Sequence, residues 1–129
     1  MNLETYSWVM SREIEELIKH IEKIKESNTL IIVEGKKDKA ALERIGLKNI
    51  MELEKKPLFK IVEEVASSNK ECIILTDLDK KGKELYGKLS HDLQSMGVRI
   101  NNELRNFLFK KTKLRQIEGI DTYLWHLST

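Results

Sequence analysis

Two short apolar runs constrain the fold of this chain more than any other feature. Leu30-Ile31-Ile32-Val33 and Cys72-Ile73-Ile74-Leu75 each place four apolar residues in a row, most of them β-branched. A strand with one face in water alternates apolar and polar residues. A strand without that alternation is covered on both faces, as in a parallel sheet between layers of helices. Both runs stop at acids: Glu34-Gly35 after the first, Thr76-Asp77-Leu78-Asp79 after the second.

The segments between and around these runs read as helices. Ile14, Leu17, Ile18, Ile21 and Ile24 share one face of a helix from about Ser11 to Glu26. Ser11 suits its N-cap, and Glu13, Glu15 and Glu16 suit its first turns, where the helix dipole favours acids. A second helix runs from about Lys37 to Ile45, with Ala40, Ala41, Leu42 and Ile45 inward and Gly46 at its end. Pro57 fits the first turn of a third, which carries Leu58, Ile61, Val62 and Val65. A fourth, from about Lys81 to Met96, uses Leu85, Leu89, Leu93 and Met96, and Gly97 closes it. Asn101 or Asn102 caps a fifth, with Leu104, Phe107 and Leu108. Asn49–Leu53 and Val98-Arg99-Ile100 are weaker strand signals. Ile117 to Leu127 fits strand, turn and helix alike.

The order is one helix followed by β-α-β-α-β-α-β-α. This predicts an α/β fold: a Rossmann-type parallel sheet of about four strands with helices on both faces, plus an extra N-terminal helix. The 129 residues suit a single compact unit, with residues 1–27 as the leading helix and 28–129 as the α/β domain with its C-terminal extension. No apolar run approaches the length of a membrane span. Met1 to Thr5 lack the basic and apolar character of a secretory signal. The one cysteine, Cys72, excludes an internal disulfide and a zinc site of several thiolates, so a reducing, cytoplasmic home is expected. A net charge of +2 says little about partners by itself.

In such sheets the chemistry sits beyond the carboxyl ends of the strands. In extended chain Asp77 and Asp79 point to the same side, about 6.6 Å apart at a rise of roughly 3.3 Å per residue. Leu78 then turns away into the core. Paired carboxylates at a strand end suit a hard, oxygen-preferring cation such as Mg²⁺. If the two main strands are neighbours, Glu34 reaches the same edge, and three acids could hold one or two ions. Like charges about 5 Å apart repel by roughly 3 kcal/mol at an effective dielectric near 20, so the acids need a cation or a lysine. Lys36, Lys37, Lys80 and Lys81 offer the alternative of simple ion pairs. A calcium loop starting at Asp77 is excluded, because its fifth and twelfth positions are Lys81 and Lys88. A phosphorylated receiver with Asp77 as acceptor wants an acidic pair after the first strand, where only Glu34 stands. No Walker loop or G-x-G-x-x-G occurs.

Val33-Glu34-Gly35-Lys36-Lys37-Asp38, followed about forty residues later by Ile74-Leu75-Thr76-Asp77-Leu78-Asp79-Lys80-Lys81-Gly82, resembles the Toprim domain. That domain is shared by type IA and type II topoisomerases, DnaG-type primases, overcoming-lysogenization-defect nucleases and the bacterial ribonuclease that matures 5S ribosomal RNA. The resemblance covers about Asn28 to Ile100. With its leading helix and the Leu114–Asp121 tail, the whole chain resembles the small stand-alone Toprim proteins of archaea. The resemblance implies that Glu34 is general acid/base and metal ligand, that Asp77 and Asp79 hold Mg²⁺, and that Gly35 and Gly82 are turn glycines. It implies nucleotidyl transfer or phosphodiester hydrolysis. The chain has no room for the strand-passing body and tyrosine-bearing domain of a topoisomerase. One cysteine cannot build the zinc module of a primase. What remains is a Mg²⁺-dependent nuclease acting on RNA, ahead of DNA, with E-G-K-x-D and T-D-x-D like the 5S-maturing ribonuclease. The other reading is a non-catalytic, metal- and nucleic-acid-binding scaffold subunit of a nucleic-acid-processing complex.

Basic residues supply the expected nucleic-acid contacts. Lys36, Lys80, Lys81 and Lys83 stand next to the acids in sequence. Arg105, Lys110, Lys111, Lys113 and Arg115 form a run without an acid, interleaved with Phe107 and Phe109. The alternative is a helix with a solvated charged face and core phenylalanines. Tyr86 and Tyr123 read as packing or surface residues, Cys72 as core, and His20, His91 and His126 as surface. Trp8 and Trp125 either pack on each other or form a partner surface. Oligomeric state is not legible in the sequence.

Overall fold

A computed structural model describes the backbone of residues 3–128 and the side chains of residues 12–127. The elements are α1 (Leu3–Ser27), β1 (Leu30–Val33), α2 (Lys36–Arg44), β2 (Ile50–Glu52), α3 (Leu58–Ser68), β3 (Glu71–Ile74), α4 (Lys80–Ser95), β4 (Arg99–Ile100), α5 (Glu103–Lys111), a 3-10 turn (Ile117–Gly119) and α6 (Ile120–Ser128). The four strands form one sheet in the order β2-β1-β3-β4. Every pairing is parallel, with Ile31 opposite Ile50 on one side and Ile73 on the other.

The unbroken apolar runs are the two central strands, and each face of the sheet carries its own core. Ile31, Val33, Ile73 and Leu75 pack with Leu17, Ile21 and Ile24 of α1, Ala41 and Leu42 of α2, and Leu104 and Leu108 of α5. Leu30, Ile32, Cys72 and Ile74 pack on the other side with Ile61 and Val65 of α3 and Leu89 and Leu93 of α4. Full burial of one such side chain stabilises by about 1.5–3 kcal/mol. The helices end where glycine permits a left-handed turn: Gly46 (φ 96°) follows α2 and Gly97 (φ 86°) follows α4.

Several expectations are corrected, among them Met96, expected on the inner face of the fourth helix but 55% exposed. The first helix begins at Leu3, not near Ser11. Ser11 therefore lies inside the helix and not at its N-cap position, because the helical pattern continues upstream without a breaker. Within that helix Ile18 stays 43% exposed, so the buried stripe is narrower than the apolar one. Pro57 stands one residue earlier than expected, at the N-cap of α3, with extended backbone (φ −60°, ψ 137°). The ambiguous C-terminal stretch is a 3-10 turn running into α6. Trp125 is exposed, and its suggested packing on Trp8 falls outside the described side chains. Among the described residues no helix is long and apolar enough to cross a membrane.

The most consequential correction concerns Arg105, which is 4% exposed and cannot grip a phosphate backbone from there. β4 is only two residues long and pairs with Glu71 and Cys72 alone. The upper part of that side of β3 therefore lacks a partner strand, and buried carbonyls without donors are costly. The Arg105 guanidinium takes the missing strand's place. Its Nη1 donates to the carbonyls of Thr76 (2.7 Å) and Ile74 (3.3 Å). The rings of Tyr86 and Phe109 cover it, with centroids 4.4 and 4.5 Å from its central carbon. Arg105→Met should lower stability by about 3 kcal/mol, since it orphans two buried acceptors and empties the sandwich. A denaturant melt checks this; a midpoint like that of the wild type would mean the carbonyls find other donors.

Ion pairs fix the direction of α5. Lys23 reaches Glu103 at 3.6 Å and Lys111 reaches Glu16 at 3.5 Å. α5 thus runs antiparallel to α1 and delivers the segment after it to the carboxyl edge of the sheet. There Leu78 N–H donates to the Arg115 carbonyl at 2.9 Å.

Candidate metal centre

The chain leaves β1 toward β2 on one side and returns to β3 on the other. The β1/β3 crevice is therefore the switch point of the sheet, where open α/β folds bind ligands. Glu34 lies one residue past β1, and its Oε2 accepts the Asp77 N–H at 3.0 Å. Asp77 lies past β3, and its Oδ1 accepts the Ile117 N–H from the 3-10 turn at 2.9 Å. Asp38, in the first turn of α2, turns back to accept the Gly35 N–H at 3.0 Å and is 7% exposed. One carboxylate oxygen from each of Glu34, Asp38 and Asp77 lies within 4.8 Å of the others.

Glu34 and Asp77 therefore meet, as neighbouring strands require. Asp79 does not join their cluster. It is exposed and caps α4, with Oδ1 accepting the Gly82 N–H at 2.7 Å. Asp38 is not among the expected ligands, although it closes the E-G-K-x-D motif. The signal for it is local: an acid at the third helical position, placed to reach back to the residue before the helix.

The electrostatics of Glu34 and Asp38 are strained. Burial pushes the Glu34 carboxyl above its ordinary value; the Asp77 N–H opposes this, and the Asp77 and Asp79 charges add to it. Burial first and the Asp77 charge second push Asp38 up to about 6. The Gly35 and Glu118 N–H groups pull it the other way. Among the described residues no lysine or arginine forms an ion pair with Glu34, Asp38 or Asp77. Lys36 instead pairs with Glu54 at 3.8 Å, and Lys37, Lys80 and Lys81 are exposed. The simple ion-pair alternative thus loses its partners. Three convergent oxygen donors, held by backbone N–H groups and without an ion-pair partner among the described residues, fit a hard divalent cation; the one buried cation whose charge reaches Glu34 and Asp77 is Arg105, whose guanidinium is bonded to the Ile74 and Thr76 carbonyls.

The remaining basic residues surround this edge. Lys36 opens α2, Lys80, Lys81 and Lys83 open α4, and Lys110, Lys111, Lys113 and Arg115 follow at the upper end of α5 and in the tail; all are exposed.

Residues 28–102 match the family model for the Toprim domain. The chain belongs to the Toprim family. It is 36% identical over 126 residues to a UPF0292 protein of Methanosarcina barkeri, covering 95% of this chain and 87% of that one. To a UPF0292 protein of Methanocaldococcus jannaschii it is 32% identical over 128 residues, covering 96% of each chain. Among solved structures, a protein from Aquifex aeolicus superposes with a TM-score of 0.73 and 33% identity, covering 81% of this chain and 95% of that one. The expected likeness to small archaeal Toprim proteins is borne out, and so is the parallel α/β architecture. Toprim domains bind divalent metals and serve nucleic-acid processing, and the acid cluster is compatible with that.

Proposed function

We propose that this Toprim protein is a cytoplasmic, Mg²⁺-dependent phosphodiesterase acting on nucleic acid, RNA ahead of DNA. The observation that carries this reading is the convergence of Glu34, Asp38 and Asp77, with ligand atoms within 4.8 Å, at the switch point of the sheet. These three would hold one or two ions, with Asp79 contributing the carboxylate oxygen that does not cap α4. Bound there, Mg²⁺ would orient a phosphodiester, offset its developing charge and favour ionisation of a water. Glu34 would move the proton, because its carboxylate stands at the cluster beside the reacting phosphodiester. The Asp77 N–H fixes the orientation of its carboxylate. Lys80, Lys81 and Lys83, with Lys36 and the Lys110–Arg115 segment, supply positive charge for the phosphate backbone.

One observation favours a second reading, a metal- and nucleic-acid-binding scaffold without turnover: Asp79, the expected second member of the D-x-D pair, is engaged as a helix cap. One experiment separates the two. Mg²⁺ and Mn²⁺ are titrated by calorimetry into wild type, Glu34→Gln and Asp79→Asn, and the same samples are incubated with labelled RNA and DNA. The nuclease reading expects weaker metal binding in Glu34→Gln and cleavage at least about a hundredfold slower, the scale of a lost general acid/base. Metal binding without cleavage of either polymer moves the protein to the scaffold role. No metal binding removes both.

A further inference from the structure

The loop that carries the acids has a second face. Asp77 points to the acid cluster, while Leu78, its neighbour, forms part of the floor of an open groove of about 810 Å³ between the D-x-D loop and the C-terminal segment. This lies within the range of roughly 300–1,000 Å³ typical of ligand sites. Leu114 and Tyr123 also line it, with the basic Lys113 and Arg115 and the acidic Asp79; Leu78 and Leu114 show only a small apolar face (8% and 9% exposed), and Arg115 Nη1 donates to the Thr112 and Leu114 carbonyls. Two hydrogen bonds bolt the walls together: Leu78 N–H to the Arg115 carbonyl and Ile117 N–H to Asp77 Oδ1. The Tyr123 ring is held by its hydroxyl, which donates to Glu13. Gly119 also lines the groove.

We infer that this groove seats an unpaired nucleotide next to the phosphodiester held at the acid cluster, so that the protein selects single-stranded nucleic acid. This deepens the nuclease reading and rests on it for the identity of the polymer. The argument is one of complementarity. Cations alone would suit any phosphate, paired or not. An apolar floor beside them is useful only to a ligand that offers a base face together with a phosphate. A duplex keeps its base faces stacked inside and could use only Lys113 and Arg115. An unstacked nucleotide uses both parts, its base on the floor and its phosphate at the cations. Because Leu78 and Asp77 are consecutive, a base on the floor places the adjoining backbone at the acids.

The test is fluorescence anisotropy with a labelled ten-nucleotide RNA, free and annealed to its complement, in EDTA so that cleavage does not intervene. Wild type is expected to bind the single strand at least about tenfold more tightly than the duplex. Thr122→Leu puts an uncharged, non-aromatic plug into the groove from an exposed position on α6. It should remove about tenfold of single-strand affinity, the scale of one stacked base, and leave the duplex unchanged. The double variant Lys48→Glu/Lys70→Glu, at the opposite edge of the sheet, should keep the preference for the single strand. Equal binding of the two forms by wild type, or wild-type single-strand affinity in a correctly melting Thr122→Leu, overturns the groove. Mg²⁺ calorimetry on the same samples keeps the two ideas apart. If no variant binds metal but the plug abolishes the preference, the nuclease reading falls and the groove stands. If metal binds and the plug has no effect, the groove falls alone.

Discussion

Gly82→Ala should cost about 3 kcal/mol or more and abolish metal binding, although it adds a single methyl group. A Cβ on Gly82 would lie 2.0 Å from the Asp77 carbonyl oxygen, 2.6 Å from its carbon and 2.9 Å from the Asp77 nitrogen. All three are backbone atoms, so no side chain can swing away. The residue is also tied at both ends. Its N–H goes to Asp79 Oδ1 at 2.7 Å, and its carbonyl accepts the buried Thr76 hydroxyl at 2.6 Å. Relief must come from moving Asp77 or from unwinding the start of α4, and either change breaks the geometry of the acids. Overpacking of this kind usually costs about 1–3 kcal/mol, and a backbone clash belongs at the upper end. The melting temperature should fall by about 10 °C or more. Gly35→Ala is the matched control. A Cβ there meets nothing within 4 Å and the backbone is extended (φ −147°), so stability should stay within about 1 kcal/mol. Thermal melts and Mg²⁺ titrations of both variants decide the matter; wild-type stability and metal affinity in Gly82→Ala would refute the account of the loop.

Asp38→Asn should stabilise the metal-free protein at neutral pH and weaken it relative to wild type once Mg²⁺ is present. The substitution keeps an oxygen for the Gly35 N–H and removes a buried charge beside Asp77, at the cost of weakening the bond from the Glu118 N–H. The folded-state value of about 6 lies above the ordinary value of 3.8. Between those values the native state holds more protons than the unfolded chain, so stability falls as pH rises through that window and stays low above it. The gain in melting temperature from Asp38→Asn should therefore be several degrees at about pH 7.5 and shrink toward zero near pH 4. Bound Mg²⁺ reverses the ranking, because a ligand that binds only the native state stabilises the chain that binds it better. Melts at both pH values, with EDTA and with Mg²⁺, provide the check. Destabilisation of Asp38→Asn in EDTA at the higher pH would mean the carboxylate has a structural cation partner.

The layers of this fold are legible because burial on both faces of a strand removes polar alternation, and only β1 and β3 show that signature. Their adjacency is not legible, since strand order depends on which way each crossover turns. Glu34 and Asp77 are readable as candidates because they end those strands. The capping role of Asp38 is legible at the third position of α2, but its burial is not: on the helix pattern it is one more polar residue. What buries it is the tail, whose 3-10 turn packs on α2 and brings the Glu118 N–H to its carboxylate. That tail comes from the stretch whose pattern fits strand, turn and helix equally. Arg105 misleads for a related reason. It belongs to a run of cations whose other members are exposed, and nothing local marks the one that turns inward. Its burial follows from the shortness of β4, a property of pairing rather than of composition.

The Arg105 cap has a consequence for how copies of this protein behave in a crowded solution. A strand whose carbonyls point outward is a template for another chain, and sheets that leave one open are prone to grow by adding strands from neighbours. Here the outward carbonyls above β4 are already satisfied by a charged group that no incoming backbone can displace without leaving a guanidinium stranded between two rings. Above β4, that side of β3 is closed to strand exchange by a single side chain, which leaves only the two-residue β4 as an edge there. An apolar substitution there should therefore show itself as self-association as well as lost stability.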